Sequence, residues 1–234
     1  MRIFCVKPSK VNMNESVLKL TKNQNKYVDL LKNSPGSIII ATGPAGSGKT
    51  MLACKEALSG IKDSKYDKII LTRPTVSVED EQLGYLPGEM DSKMKPWMDP
   101  IFDQMIKNAN KSLIGQYKKD GLLEIIPLAY IRGRTFDDSF IIADEMQNAT
   151  IHQMKTLLTR IGMNTTMVIT GDLDQSDNDL LSTSENGLEN LCNILDKNEI
   201  KEIDEYIYRI NLTHDDVMRS EIVKQILRLY ENIK

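Results

Sequence analysis

Histidine is nearly missing from this chain: His152 and His214 are the only two among 234 residues. That excludes a histidine-rich metal site. Cysteine is scarce as well. Cys5, Cys54 and Cys192 are isolated and odd in number, so they make neither a metal-ligand spacing nor a disulfide framework. A reducing, cytoplasmic setting is the expectation. No apolar run approaches the roughly 20 residues of a membrane span, and the opening Met1-Arg2-Ile3-Phe4-Cys5-Val6-Lys7 has no signal-peptide core. A membrane partner is therefore not expected. An excess of positive charge is absent too. With 30 Lys and Arg against 33 Asp and Glu, the formal net charge is −3. Binding to nucleic acid would need a local basic patch.

What is present is concentrated in residues 43–50. They read Gly43-Pro44-Ala45-Gly46-Ser47-Gly48-Lys49-Thr50, the phosphate-binding pattern G-x-x-x-x-G-K-[ST]. Each position has a physical task. Gly43, Gly46 and Gly48 permit turns closed to other residues. The backbone N–H groups of the loop, Pro44 excepted, then form a nest for phosphate oxygens. Lys49 reaches the β- and γ-phosphates, and the Thr50 hydroxyl is placed to ligate Mg²⁺. The apolar run Ser37-Ile38-Ile39-Ile40-Ala41 precedes the loop and residues 48–58 follow it with helical spacing, ending near Gly60. Strand, glycine turn and helix together aim a helix N-terminus at bound phosphate.

The length suits one α/β domain. Residues 1–20 read as an N-terminal arm and 21–234 as a single domain. Within it, 21–31 and 102–117 are expected helices, and 68–72, 122–126, 139–143 and 167–170 are expected strands. Residues 75–100 carry Gly84, Pro87, Gly88, Pro96 and Pro100 and read as a long irregular insertion. Thr150-Ile151-His152-Gln153 matches a capping box, with Met154, Leu157, Leu158 and Ile161 at helical spacing and Gly162 where a C-cap belongs. His152 then falls in an exposed first turn. Residues 176–234 read as polar turns plus a final amphipathic helix, an appendage rather than a second α/β domain. Helices alternating with buried strands imply a largely parallel sheet covered on both faces.

Two further segments carry chemistry. Phe140-Ile141-Ile142-Ala143 ends in Asp144-Glu145. In a phosphate-loop fold Asp144 holds Mg²⁺ at the strand's carboxyl end, and Glu145 is placed to orient and deprotonate a water. The competing reading is a strand-end salt bridge. Thr170-Gly171-Asp172-Leu173-Asp174-Gln175 follows the next strand, on the sheet edge where open α/β sheets bind ligands. Gln175 suits contact with a γ-phosphate or an attacking water, against the plainer reading of a polar turn.

The 43–50 loop, Asp144-Glu145-Met146-Gln147-Asn148 and the 171–175 turn resemble the nucleotide motifs of superfamily 1 helicase-type ATPases. More closely, the chain resembles the PhoH-like (phosphate-starvation-inducible) ATPase family. The carrying stretches are Leu71-Thr72-Arg73-Pro74, Leu83-Gly84-Tyr85-Leu86-Pro87-Gly88, residues 127–135 with Arg132-Gly133-Arg134-Thr135, and residues 153–162. The likeness runs from about residue 21 to 230. It implies a RecA-like P-loop NTPase fold and an ATPase using ATP and Mg²⁺. It also implies that Gln24, in Leu20-Thr21-Lys22-Asn23-Gln24, reads the adenine edge; by spacing Gln24 is an exposed helix residue. Asp216-Val217-Met218-Arg219-Ser220 is similar to a family segment written D-V-V-R-H. Ser220 replaces the histidine here, which leaves no role for that side chain, while Arg219 is retained.

Superfamily 1 helicases close the ATP site with arginines from a second RecA-like domain, which this length does not hold. An arginine from a neighbouring subunit is the expected substitute, at a head-to-tail interface that closes into a ring. The resemblance favours a homohexamer. Arg219 is the first candidate and Arg160, Arg132 and Arg134 are the others; each has a plainer reading as a surface ion pair. The motif set, together with Arg132, Arg134 and Lys107, Lys111, Lys118 and Lys119, points to an ATPase stimulated by single-stranded RNA, or a helicase-like translocase. Trp97 either stacks a base or packs under its own loop. A slow nucleotide-dependent scaffold is the alternative function. A small-molecule phosphotransferase fits less well, because a water-activating acid beside Asp144 favours hydrolysis.

Overall fold

Thr21 opens the first helix. Its hydroxyl accepts from the Gln24 backbone N–H while the Gln24 side chain accepts from the Thr21 N–H, a complete capping box. The helix, α1 (Lys22–Asn33), leads into β1 (Ile38–Thr42) and then α2 (Lys49–Lys62). After these come β2 (Lys68–Thr72), α3 (Met90–Asn108), α4 (Lys111–Lys119), β3 (Leu123–Ile125), β4 (Ser139–Ala143), α5 (Ile151–Leu158), β5 (Thr166–Gly171), α6 (Gly187–Lys197) and β6 (Ile207–Asn211). This computed structural model describes residues 19–74, 90–175, 185–197 and 205–217.

The six strands form one sheet in the order β3-β2-β4-β5-β1-β6, and every pairing is parallel. Ile39 lies opposite Val168, and Ile70 opposite Ile141. Both faces of the four inner strands are buried, so β1, β2, β4 and β5 are largely apolar without alternation. Side chains still sort by parity. Ile39, Ala41, Ile69, Leu71, Phe140, Ile142 and Val168 enter the core beneath α1 and α2. Ile40, Ile70, Ile141, Met167 and Ile169 enter the opposite core with Met154, Leu157 and Leu188 from α5 and α6. Each fully buried isoleucine contributes about 1.5–3 kcal/mol of apolar burial. The layered sheet therefore holds the strands' carboxyl ends, where the loops meet, in fixed register.

Several expected boundaries move. The 75–100 segment is not irregular throughout, because α3 begins at Met90 and runs through Pro96 and Pro100. Trp97 thus lies on a helix, and residues 75–89 lie outside the described residues. The helix expected over 102–117 is two helices, broken where the Asn110 side chain caps α4 by accepting from Leu113 N–H at 2.7 Å. The reading of 176–234 as turns plus a helix is corrected as well. It misses α6 and β6, and β6 joins the sheet beside β1. The final helix expected over 222–233 lies outside the described residues, as does the 1–18 part of the arm.

Two glycines have reasons other than capping. α5 ends at Leu158, and Gly162 instead lies against the Phe136 carbonyl and the Asp137 side chain. Gly60 sits inside α2, where a Cβ would come within 2.5 Å of the Tyr66 ring. That ring meets Phe140 edge-on at 5.2 Å, and its hydroxyl pairs with Thr166 at 2.9 Å. Gly→Ala normally stabilises a helix interior by about 1 kcal/mol. Here Gly60→Ala is expected to destabilise by about 1–3 kcal/mol through overpacking, read as a fall in the thermal unfolding midpoint.

Candidate nucleotide-hydrolysis site

The 43–50 loop joins β1 to α2 with Gly43, Gly46 and Gly48 at φ 137°, 85° and 93°. All three are conformations that favour glycine. The loop is anchored from below. Gly43 N–H donates to Gly171 O at 3.2 Å, and the Leu212 backbone carbonyl lies where a Gly43 Cβ would be. The Tyr27 hydroxyl donates to Lys49 O at 3.2 Å. The Lys49 ammonium donates to the loop's own carbonyls, Gly43 O at 2.5 Å and Pro44 O at 2.9 Å. Burial pushes its pKa down, opposed by the charges of Asp172, Glu145 and Asp144.

Gln24 is wholly buried and is not an exposed helix residue. Its amide donates to Ser47 O and to Asp216 O, both at 2.9 Å. With its oxygen accepting from Thr21, Gln24 bridges the phosphate loop to a segment 192 residues away. Asp216 completes the clamp. Its carboxylate accepts from the Thr21 hydroxyl, from Asn23 at 3.0 Å and from Thr213 N–H at 2.7 Å. Burial pushes the Asp216 pKa up, but these hydrogen bonds outweigh it and hold the group below the usual carboxylate range. A depressed carboxylate adds stability that is fully present above its unfolded pKa, about 3.9, and is lost as pH falls through its folded value. Asp216→Asn should therefore be less stable than the native chain at pH 7, by about 1.5–3 kcal/mol. The gap should shrink steadily below pH 4 in denaturant titrations.

Above the loop, Asp144 directly follows β4. One of its oxygens accepts from the Thr50 hydroxyl at 2.7 Å and from the Thr170 hydroxyl at 2.5 Å. Thr50 and Asp144 are 94 residues apart in sequence, and the fold brings them together. A hydroxyl and a carboxylate converging at a phosphate loop are hard oxygen ligands of the kind Mg²⁺ takes alongside substrate phosphates, so these residues fit that ion.

Glu145 follows in a left-handed backbone conformation, φ 54° and ψ 41°, uncommon for a side chain of this size and a mark of local strain. Its two oxygens are held by different partners. Arg73 Nη2 lies 3.3 Å from one, and Gln147 Nε2 donates to the other at 2.6 Å. Gln147 is itself fixed, because its Oε1 accepts from Asp172 N–H at 3.2 Å. Burial, then the neighbouring Asp144 charge, pushes the Glu145 pKa up against the pull of Gln147, Arg73 and Lys49.

These groups share one cleft of about 590 Å³. Ala45, Gly46, Lys49 and Thr50 line it with Asp144 and Glu145, while Arg73, Gln104 and Lys107 form further walls. Arg73, Gln104 and Gln147 are functional candidates that sequence reasoning does not single out. Lys107 lies in this cleft, apart from α4 and its exposed Lys111, Lys118 and Lys119. Gln175 is exposed at the end of the turn after β5 and does not line the cleft. Among the arginines, Arg134 makes a two-pronged pair with Glu124 at 2.7 and 3.0 Å and lies 4.9 Å over the Phe136 ring. Arg160 donates to Arg134 O and Thr159 Oγ1. Arg132 is exposed, and Arg219 lies outside the described residues.

A parallel sheet with a phosphate loop after β1 and an acid pair after β4 is the P-loop NTPase fold. The chain belongs to the PhoH-like protein family, whose model matches residues 16–231. It is 40% identical over 210 residues to the PhoH-like protein of Mycobacterium tuberculosis (strain ATCC 25618 / H37Rv), covering 90% of this chain and 56% of that protein. It is 39% identical over 217 residues to the PhoH-like protein of Bacillus subtilis (strain 168), covering 93% and 65%. Protein PhoH of Escherichia coli (strain K12) is 34% identical over 218 residues, covering 92% and 58%. The chain thus spans roughly three fifths of the length of these relatives. Among solved structures, the large terminase from a thermophilic bacteriophage is similar in fold, with TM-score 0.55 and 12% identity, covering 90% of this chain and 50% of that one. No helix among the described residues is long and apolar enough to cross a membrane.

Proposed function

We propose that this chain hydrolyses ATP to ADP and phosphate at the 43–50 cleft. The observation that carries this reading is the convergence of the Lys49 ammonium, the Thr50–Asp144 oxygen pair and the Glu145 carboxylate on one cavity. Lys49 leaves the Gly43 and Pro44 carbonyls for the β/γ-phosphates, a stronger charge-assisted partner. Thr50 and Asp144 would hold Mg²⁺, which when bound would supply charge neutralisation for the phosphate oxygens. Glu145 accepts the proton of the attacking water as its oxygen bonds to the γ-phosphorus and the bond to the β-phosphate oxygen breaks. Gln147 keeps the Glu145 carboxylate aimed during that transfer, since it binds the oxygen that Arg73 does not.

The activity is proposed to be stimulated by single-stranded RNA. Lys111, Lys118 and Lys119 present exposed positive charge on α4, and Tyr130, 58% exposed, lies two residues from exposed Arg132. An exposed aromatic ring and exposed cations are the groups that sequence-tolerant binding of a single strand uses. The site is proposed to be completed in a ring, favoured as a hexamer, by an arginine from a neighbouring copy. Arg134 and Arg160 are engaged within their own subunit, which leaves Arg219 first and Arg132 second. Mixing Arg219→Ala with Lys49→Ala subunits is expected to restore partial activity, and no rescue would remove Arg219 from the role. Phosphate release and particle mass, each with and without single-stranded RNA, test the wider reading. Slow turnover unchanged by RNA would replace the translocase with the nucleotide-dependent scaffold.

A further inference from the structure

We infer that Arg73 is a catalytic residue of the same subunit, parked on Glu145 until ATP enters and then moving to the terminal phosphate. The inference rests on the ATP-hydrolysis reading of the cleft and gives a role to a cation within the subunit to which the motifs assign none. Arg73 directly follows β2, and Asp144 N–H donates to Thr72 O at 3.0 Å. That bond aligns the ends of β2 and β4, so Arg73 and Glu145 emerge side by side. The Arg73 side chain is only 20% exposed and lines the cleft with Ala45, Gly46, Lys49 and Thr50.

The chemistry favours an exchange of partners. A guanidinium is always charged and matches phosphate oxygens in a two-pronged geometry, whereas its present contact with Glu145 is 3.3 Å. An entering triphosphate brings several negative charges into the cavity that Arg73 lines. When Arg73 departs, Glu145 keeps its second anchor in Gln147, itself held by Asp172 N–H. The base is released from its cation without losing its aim. ADP lacks the terminal phosphate, so Arg73 returns to Glu145. One side chain thereby couples the presence of the γ-phosphate to the freedom of the base.

The test is equilibrium binding of fluorescent mant-AMPPNP and mant-ADP, with Mg²⁺, to the full chain and its variants. Arg73→Gln is expected to weaken mant-AMPPNP at least tenfold and to change mant-ADP by less than threefold. Arg73→Lys should fall between, because it keeps charge and loses the fork. The double variant Arg73→Gln/Glu145→Gln separates contact from mere charge balance, and it should bind mant-AMPPNP at least tenfold more weakly than Glu145→Gln alone. Equal affinity of the double variant and Glu145→Gln would show that Arg73 only neutralises Glu145 and would overturn the inference. Equal losses for both nucleotides, or no loss, would also overturn it. Failure of the underlying reading looks different: neither nucleotide binds the native chain, or Lys49→Ala binds both as the native chain does. Thermal unfolding of each variant keeps misfolding out of the comparison, and Arg73→Lys supplies the readout should Arg73→Gln not fold.

Discussion

Lys49→Ala protein will lose ATP and release phosphate at least about 10²-fold more slowly than the native chain, the scale expected when a charged group aimed at developing negative charge is removed. The side chain donates only to loop carbonyls and to Ser47 Oγ at 3.5 Å. It is buried, and burial already disfavours its charge. A buried cation resting on neutral carbonyls is poised for a stronger anionic partner. The variant also loses two ammonium-to-carbonyl bonds that help close the loop, so its nucleotide affinity should fall together with its rate. Retained affinity with lost turnover would instead assign Lys49 to the reaction step alone. Phosphate release and nucleotide binding on the same preparation distinguish these results.

Gly43→Ala is expected to cost about 2–5 kcal/mol of folding stability and to abolish nucleotide binding. The estimate lies within the sum of about 1–3 kcal/mol for a side chain in a sparsely populated backbone region and about 1–3 kcal/mol of overpacking, the two not being fully additive. Gly43 sits at φ 137°. A Cβ there meets the Leu212 carbonyl, a backbone atom that cannot swing aside because Leu212 N–H is bonded to Thr42 O at 2.8 Å. The loop and β6 must therefore separate for the variant to fold. Thermal unfolding and nucleotide titration both read the effect. By contrast, a Cβ on Gly36 meets nothing within 4 Å, so Gly36→Ala bears only its backbone strain at φ 71°.

The parts of the site legible in the sequence are those encoded by contiguous residues. The spacing of Gly43, Gly48, Lys49 and Thr50 reports a loop whose geometry is local. The Asp144-Glu145 pair reports itself because it ends an apolar strand. What stays hidden depends on residues distant in sequence. By spacing alone Gln24 reads as a surface helix residue, because Ser47 and Asp216, its acceptors, lie 23 and 192 positions away; only the family resemblance marks it as a site residue. Arg73 looks like the end of a strand until the sheet order places β2 beside β4. Gln104 and Lys107 reach the cleft only because α3 packs on α2, with Asn108 Nδ2 donating to Met51 O at 3.3 Å. β6 is hard to read because it is an edge strand whose Arg209 and Asn211 interrupt the apolar run; Arg209 pairs with Asp196 on α6. Pro96 and Pro100 read as breakers, yet α3 passes through both.

The central claim is that this cleft hydrolyses ATP with Glu145 as the base. Single-turnover phosphate release by the native chain and by Glu145→Gln, with ATP and Mg²⁺ at matched occupancy, tests it most directly. Glutamine keeps the side chain's size while removing its ability to take a proton. The expected result is unchanged or tighter ATP binding with phosphate release slowed by at least about 10²-fold, the scale for loss of a general base. Native-rate release by Glu145→Gln would contradict the account.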